Sequence, residues 1–339
     1  GPVSATAPAR HGSRASLSLI PIALSALAAW QGAQRGQGPA RAIEVQDEGY
    51  VGSETCRECH AANHASWHAS FHRTMTQAPS RASVLGRFAG TTPLFEGRAW
   101  SLSQAGDAFF ATALGPDGAA QGPLMQVALM TGSHHFQIYW LATPSGVLEQ
   151  LPIVWHVGEA RWVPRNSMFL MPPTPTTPPE TDRWQASCIK CHATNGTPVH
   201  EPSGGATRVA ELGIACEACH GPGAAHAAWQ RSPRSQEAEE RGTGLIDPSE
   251  LAPARSAQVC GQCHGVHVFG DAQAHQAWFR EGFAYRPGDD LAATRRLVRG
   301  ELEESPPLAR AFVERGGMLL EDYFWSDGEV RVSGREYNG

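Results

Sequence analysis

The chain has 339 residues, of which 41% are hydrophobic, with 36 Gly, 25 Pro and a formal net charge of −6. That length fits one large domain or two ordinary ones, and the glycine and proline content makes the chain loop-rich. The negative balance excludes a basic nucleic-acid face, and charged clusters such as Glu237 to Arg241 and Glu301 to Glu304 read as solvated surface.

In chain order, Arg10 and Arg14 precede an apolar run from Ala15 to Ala29, in which Ala26-Leu27-Ala28 resembles a small-residue cleavage site. This predicts an export signal over residues 1–29, too short for an ordinary membrane span, followed by a polar linker over 30–46. A membrane association follows only if the apolar run is retained. Residues 47–84 carry one Cys-x-x-Cys-His and a helical pattern through HAANHASWHASFHRTM, ending before Pro79. Residues 85–171 lack cysteine and change period. RAWSLSQ, DAFFATAL, LMQVALMT, HHFQIYWLA and VLEQLPIVWH are short strand-like runs, and turn residues such as GPDG and TPSG separate them. They predict a small antiparallel sheet. PPTPTTPPE over 172–180 fits neither a helix nor a central strand and predicts an extended connector. Residues 181–339 carry three more Cys-x-x-Cys-His motifs, then one helix over 289–299, a second near 306–315 and a strand-like ending.

All eight cysteines fall in four copies of one pattern: Cys56-Arg-Glu-Cys59-His60, Cys188-Ile-Lys-Cys191-His192, Cys216-Glu-Ala-Cys219-His220 and Cys260-Gly-Gln-Cys263-His264. On a helical turn, positions i, i+3 and i+4 share a face. Two thiols can then reach the vinyl groups of one porphyrin while the histidine reaches its iron from below. Structural zinc also uses paired Cys-x-x-Cys, but it does not call for a histidine after every pair. A thioredoxin-type redox pair would occur once, beside a βαβ pattern. The repeated motif therefore predicts four covalently bound haem c groups, with His60, His192, His220 and His264 as proximal ligands. Covalent haem agrees with export, and the predicted location is periplasmic or extracellular. Without haem, such a chain is expected to lack most of its packing.

Fifteen histidines are present, so eleven remain as candidates for the opposite face of each iron. His226 follows His220 by six residues, a reach of at most about 20 Å, and the intervening Gly221-Pro222-Gly223 uses part of it. Ligating a neighbouring haem is easier than returning to its own. The alternative is a solvent-facing histidine on the helix AAHAAW. His64, His68 and His72 are spaced by four along one helical face, so one or two of them at most can point at iron. His134 and His135 sit adjacent on a predicted strand and are expected to face opposite ways. His267 and His200 are further candidates, with His275 and His156 behind them. Met75 or Met130 in a histidine's place would raise that haem's potential, although both suit core packing.

YVGSETCRECHAANHASWHASFHRTM and GIACEACHGPGAAHAAW together resemble the cytochrome c-554 family of multihaem cytochromes. The shared features are Cys-x-x-Cys-His followed by Trp67, Ser70 and His72, and later Cys-x-x-Cys-His-Gly-Pro-Gly leading to His226. The resemblance implies that His72 and His226 are distal ligands to haems attached elsewhere, that the four haems form closely packed pairs, and that one haem can lack a distal ligand. The segment over 85–171 is more like longer bacterial relatives in which a TGSHH stretch occurs, here Thr131 to His135. In those relatives material like the ending DGEVRVSGREYNG runs on into a further haem motif. The expected fold is mainly α and irregular, with a small antiparallel β insertion and haems forming much of the core.

The expected function is an exported tetrahaem cytochrome relaying electrons between redox partner proteins, with no separate acid–base machinery. Two alternatives stay open. An iron without a distal ligand would allow oxidoreductase chemistry on a small nitrogen or sulfur compound. Histidines donated to neighbouring subunits would make the chain a protomer of an extracellular filament.

Overall fold

The computed structural model describes residues 42–95, 97–143, 148–165, 184–198, 207–232, 245–265 and 267–297, all within a unit spanning Pro39–Gly339. The expected export signal, most of the linker, the Pro-rich connector, His200 and the helix near 306–315 lie outside the described residues.

The chain enters through β1 (Ile43–Glu44), α1 (Ser53–Arg57), α2 (Ala61–His68) and β2 (Thr76–Gln77). It then builds β3 (Leu94–Phe95), β4 (Arg98–Ala105), β5 (Ala108–Leu114), β6 (Met125–Thr131), β7 (Phe136–Ala142), β8 (Leu148–Gln150), β9 (Ile153–His156) and β10 (Arg161–Pro164). These join β2 in one nine-stranded sheet of order β10-β9-β7-β6-β5-β4-β3, with β2 on β6 and β8 on β7. Every pairing in it is antiparallel.

Side-chain alternation divides this sheet between two cores. On β7, Tyr139 and Leu141 join a cluster with Phe88, Trp100, Phe109, Val127 and Trp155. Trp140, between them, joins Leu148, Trp184, Ile189, Trp278 and Tyr285. A register shift between Val127 and Leu129 in β6 lets the adjacent Ala128 and Leu129 both join the second cluster, while Val127 and Met130 join the first. The sheet's second face is thus the floor on which the segment of the second Cys-x-x-Cys-His rests.

A strap over residues 83–88 joins strands that are not neighbours in the strand order. Phe88 is 1% exposed, and its ring meets Phe109 of β5 at 5.3 Å, Tyr139 of β7 at 5.0 Å and Trp162 of β10 at 5.5 Å. The Gly86 amide donates to Tyr139 Oη at 2.8 Å, and that hydroxyl donates to Gln137 Oε1 at 2.6 Å. Gln137 closes the network by accepting from Leu85 N and donating to Ser83 O, both at 2.8 Å. Gly86 is required here, because a Cβ would fall 2.5 Å from Tyr139 Oη and 2.9 Å from Trp162.

The remaining elements are short: α3 (Ile189–His192), β11 (Ala193–Thr194), β12 (Arg208–Val209), β13 (Glu211–Leu212), α4 (Cys216–His220), α5 (Ala224–Arg231), α6 (Pro253–Gly261), β14 (His267–Phe269), α7 (Ala272–Glu281), α8 (Leu291–Thr294) and β15 (Arg295–Leu297). No described helix is long and apolar enough to cross a membrane.

The fold departs from the expected mainly α architecture with a small β insertion. The nine-stranded sheet is the dominant element, and the helices bearing Cys-x-x-Cys-His are mostly one or two turns long. Local spacing shows the motif turns clearly but understates a sheet whose two-residue strands β2 and β3 exist only through non-local pairing. The sheet also supplies its own aromatic core, where haem was expected to form much of the interior. The helix expected over 289–299 is a single turn, α8, and then the chain extends as β15 against β14.

Candidate haem sites

Each motif folds as a tight helical turn. His60 N and Cys59 N donate to Cys56 O at 2.8 and 3.2 Å, and His264 N and Cys263 N donate to Cys260 O at 2.9 and 3.1 Å. Cys216 to His220 is α4 itself, ended by Gly221 with φ at 82°, a conformation that favours glycine. His192 ends α3. In each case thiols and imidazole come off one turn, as a porphyrin requires.

The four turns cluster. The thiols of Cys56 of the first motif and Cys216 of the third are neighbours and interact, which holds Cys216 down at about 6. Cys191 of the second and Cys263 of the fourth do the same, and Cys191 is held at about 6. Cys219 lies near Cys260 and Cys263 and is pushed up to about 11 by burial. The anchors therefore lie in the order first, third, fourth, second.

Two histidine pairs stand out by their separation. His226, on α5, faces His60 with ring centroids 6.3 Å apart. His72 faces His264 with the same 6.3 Å separation and planes 88° apart. Imidazoles on opposite faces of one metal ion, each with a metal–nitrogen distance of roughly 2.0–2.1 Å, have centroids roughly 6 Å apart. Both pairs thus have room for one iron between them.

Sequence features place these rings. Glu217, the second residue of the third motif, is 2% exposed. Its carboxylate accepts from Val51 N at 3.0 and 3.1 Å, Gly52 N at 2.8 Å and Gly223 N at 2.8 Å. One buried side chain thus ties the N-terminus of α1 to the Gly-Pro-Gly turn, and Ala224 N adds a bond to Gly49 O at 2.9 Å. For His72, α2 ends at His68 and the chain bends away. His72 therefore leaves the face on which His64 and His68 stack at 5.6 Å. Trp67 Nε1 donates to Ile214 O at 2.8 Å and His72 O accepts from Ile214 N at 3.0 Å, fixing this bend against the third-motif segment.

The other predicted ligands differ. His220 Nδ1 lies 2.8 Å from Ile246 O, which orients the ring and leaves Nε2 for a metal. His192 is held near 4 by burial, the neutral form a metal ligand needs, and its Nδ1 is buried without a partner. His134 and His135 lie in the turn between β6 and β7 rather than on a strand. Their rings stack at 3.9 Å instead of facing apart, and His134 stacks on Phe71 at 4.1 Å. The expectation of opposite faces fails because alternation stops where the strand does. His267 Nε2 lies 2.6 Å from Gly261 O, so that nitrogen is engaged by a carbonyl. His156 Nδ1 accepts from Glu159 N at 3.1 Å, and His275 packs between Phe269 and Phe279.

Sequence reading missed Glu217, Glu211, Lys190 and Arg295. Glu211 accepts from Ser53 N and Ser53 Oγ, both at 2.8 Å, and Ser53 Oγ lies 3.5 Å from Cys216 Sγ. No local signal marks such residues, because their partners are distant in the chain.

Four Cys-x-x-Cys-His turns held together, two of them with a second imidazole 6.3 Å from the motif histidine, are what a multihaem c-type cytochrome, a class that binds haem covalently, requires. Residues 168–221, which contain the second and third motifs, match the family model described as cytochrome c554 and c-prime. Among solved structures the chain is similar to the outer cell wall cytochrome OcwA, at 19% identity and a TM-score of 0.49, covering 83% of this chain and 48% of that one. It is also similar to the undecahaem cytochrome from the S-layer of Carboxydothermus ferrireducens, at 17% identity and a TM-score of 0.39, covering 88% of this chain and 39% of that one. The chain thus spans about half, or less, of the length of these structures. Among curated proteins none matches it.

Proposed function

We infer that this chain is an exported electron-transfer cytochrome that carries four haems and passes single electrons along them to redox partner proteins. The observation that carries the reading is the pair of 6.3 Å imidazole separations, His60 to His226 and His72 to His264. In this reading His226 is the distal ligand of the haem anchored at Cys56 and Cys59, and His72 that of the haem anchored at Cys260 and Cys263. A haem iron with two axial imidazoles is a one-electron couple with no vacant coordination position, which suits transfer rather than substrate chemistry. The chain's part is to anchor, to fix the imidazoles and to hold the sites close. The thiol contacts Cys56–Cys216 and Cys191–Cys263 support an arrangement of two close pairs, bridged where Cys219 lies near Cys260 and Cys263. The apolar run from Ala15 to Ala29 supports export to the periplasm or beyond.

The test is the purified, exported chain. Mass spectrometry is expected to find four covalent haems, and the spectrum of the reduced form to be dominated by low-spin bands. His226→Ala is expected to convert one haem to a high-spin, ligand-binding form and leave the others unchanged. A wild-type chain without covalent haem, or with His226→Ala spectrally silent, overturns the reading.

A further inference from the structure

The two anchor pairs sit in opposite electrostatic surroundings. Beside Cys56 and Cys216 the inward-facing charges are carboxylates: Glu217, which accepts from three backbone amides, and Glu211, linked to Cys216 through Ser53, while the cation within the first motif, Arg57, is exposed and paired with Glu54. Beside Cys191 and Cys263 they are cations. Arg295 is 6% exposed, and its Nη1 lies 3.5 Å from Gln262 O, the carbonyl that Cys191 Sγ contacts at 3.8 Å. Its guanidinium carbon lies 3.2 Å above the Phe283 ring, and its Nε and Nη2 are buried without a hydrogen-bond partner. Lys190, between the two cysteines of the second motif, holds its ammonium 5.1 Å from the Phe269 ring and 5.8 Å from Trp278. Among the described residues no carboxylate pairs with either cation. His267, also close to both, is kept neutral by burial, near 4.

A buried charge acts across several ångströms because little water screens it. A cation favours the state that has gained an electron, and a carboxylate disfavours it. We propose that Arg295, reinforced by Lys190, and Glu217, reinforced by Glu211, set the haem pairs at different potentials: the pair anchored at Cys191 and Cys263 high, the pair at Cys56 and Cys216 low. Electrons then run downhill from the first and third motifs to the fourth and second. The inference rests on the tetrahaem reading above and gives that relay a direction.

The experiment is a potentiometric titration of the haem-loaded chain, followed by visible absorbance, for wild type, Arg295→Gln, Arg295→Lys and Glu217→Gln. Arg295→Gln is expected to lower the highest midpoints by about tenfold in the reduction equilibrium, about 59 mV for one electron, and to leave the lowest in place. Arg295→Lys keeps the charge and is expected to stay near wild type, which separates the charge from packing. Glu217→Gln is expected to raise the lowest midpoints. Arg295→Gln that moves no midpoint, or moves the lowest set, overturns the assignment while leaving the cytochrome reading intact. A wild-type chain with no covalent haem to titrate overturns the underlying reading instead.

Discussion

Glu217 occupies one of the two variable positions of a Cys-x-x-Cys-His, where a motif reading assigns no role, yet it accepts from three backbone amides in two separate segments. Replacing it by alanine would leave the amides of Val51, Gly52 and Gly223 buried without an acceptor, at about 1–3 kcal/mol for each that finds no water. Glu217→Ala is accordingly expected to lower the denaturant midpoint of the haem-loaded chain by an amount equivalent to about 3 kcal/mol. Because the same contacts place α5, the His226 ring should lose its position opposite His60, and a high-spin signal should accompany the loss of stability. An unchanged unfolding midpoint would mean that the carboxylate only decorates the turn. The helical turns of the four Cys-x-x-Cys-His motifs were legible because each is written within five residues. The partners of Glu217 and of the paired imidazoles were not, since each lies in a different stretch of chain that only folding brings near. The short reach from His220 to His226 was legible in the sequence, but the imidazole that stands opposite His226, that of His60, was not.

At the level of elements, the alternating runs of β4 to β7 were readable, and their bounds fall within a few residues of the sequence expectation. The strap was not readable. Residues 83–88 have no period of their own, and their order comes from Gln137 and Tyr139 on a strand far along the chain. The misplaced helix over 289–299 has a similar origin: the β14–β15 pairing and the burial of Arg295 override a local pattern that reads as helical. The strap supports a sharper expectation. Phe88→Ala empties the point where β5, β7 and β10 meet, and a phenylalanine removed from a core costs about 3–5 kcal/mol. Trp140, one residue along from Tyr139, belongs instead to the face that carries Trp184 and Ile189 of the second-motif segment. Thermal unfolding is thus expected to shift down for both Phe88→Ala and Trp140→Ala, whereas the haem spectrum should change only for Trp140→Ala. Equal spectral changes in the two variants would show that the cores are not separate.

For the whole molecule, a second imidazole stands opposite the motif histidine in the first and the fourth motifs, and these two motifs lie in different cysteine pairs. Each partner comes from another part of the chain: α5 reaches back to the first motif, and the bend after α2 reaches forward to the fourth. The facing His60–His226 and His72–His264 rings therefore join distant stretches of chain, as do β1–β12 and the contacts of Glu217. Bracing of this kind predicts how two ligand deletions combine. In the proposed reading His72→Ala and His226→Ala each remove one axial imidazole from a different iron, and sites that share no partner add their effects. In the proposed reading, electron paramagnetic resonance of the double variant should equal the sum of the single variants, with two more high-spin haems than the wild type. Stability should respond differently, because each deletion also cuts a link between chain segments, so the first cut loosens what the second would have held. The loss in the double variant should then be smaller than the two single losses together, measured by denaturant unfolding of the haem-loaded chains. Additive spectra with additive stabilities would leave the ligands as electronic parts only, and non-additive spectra would place His72 and His226 on the same iron.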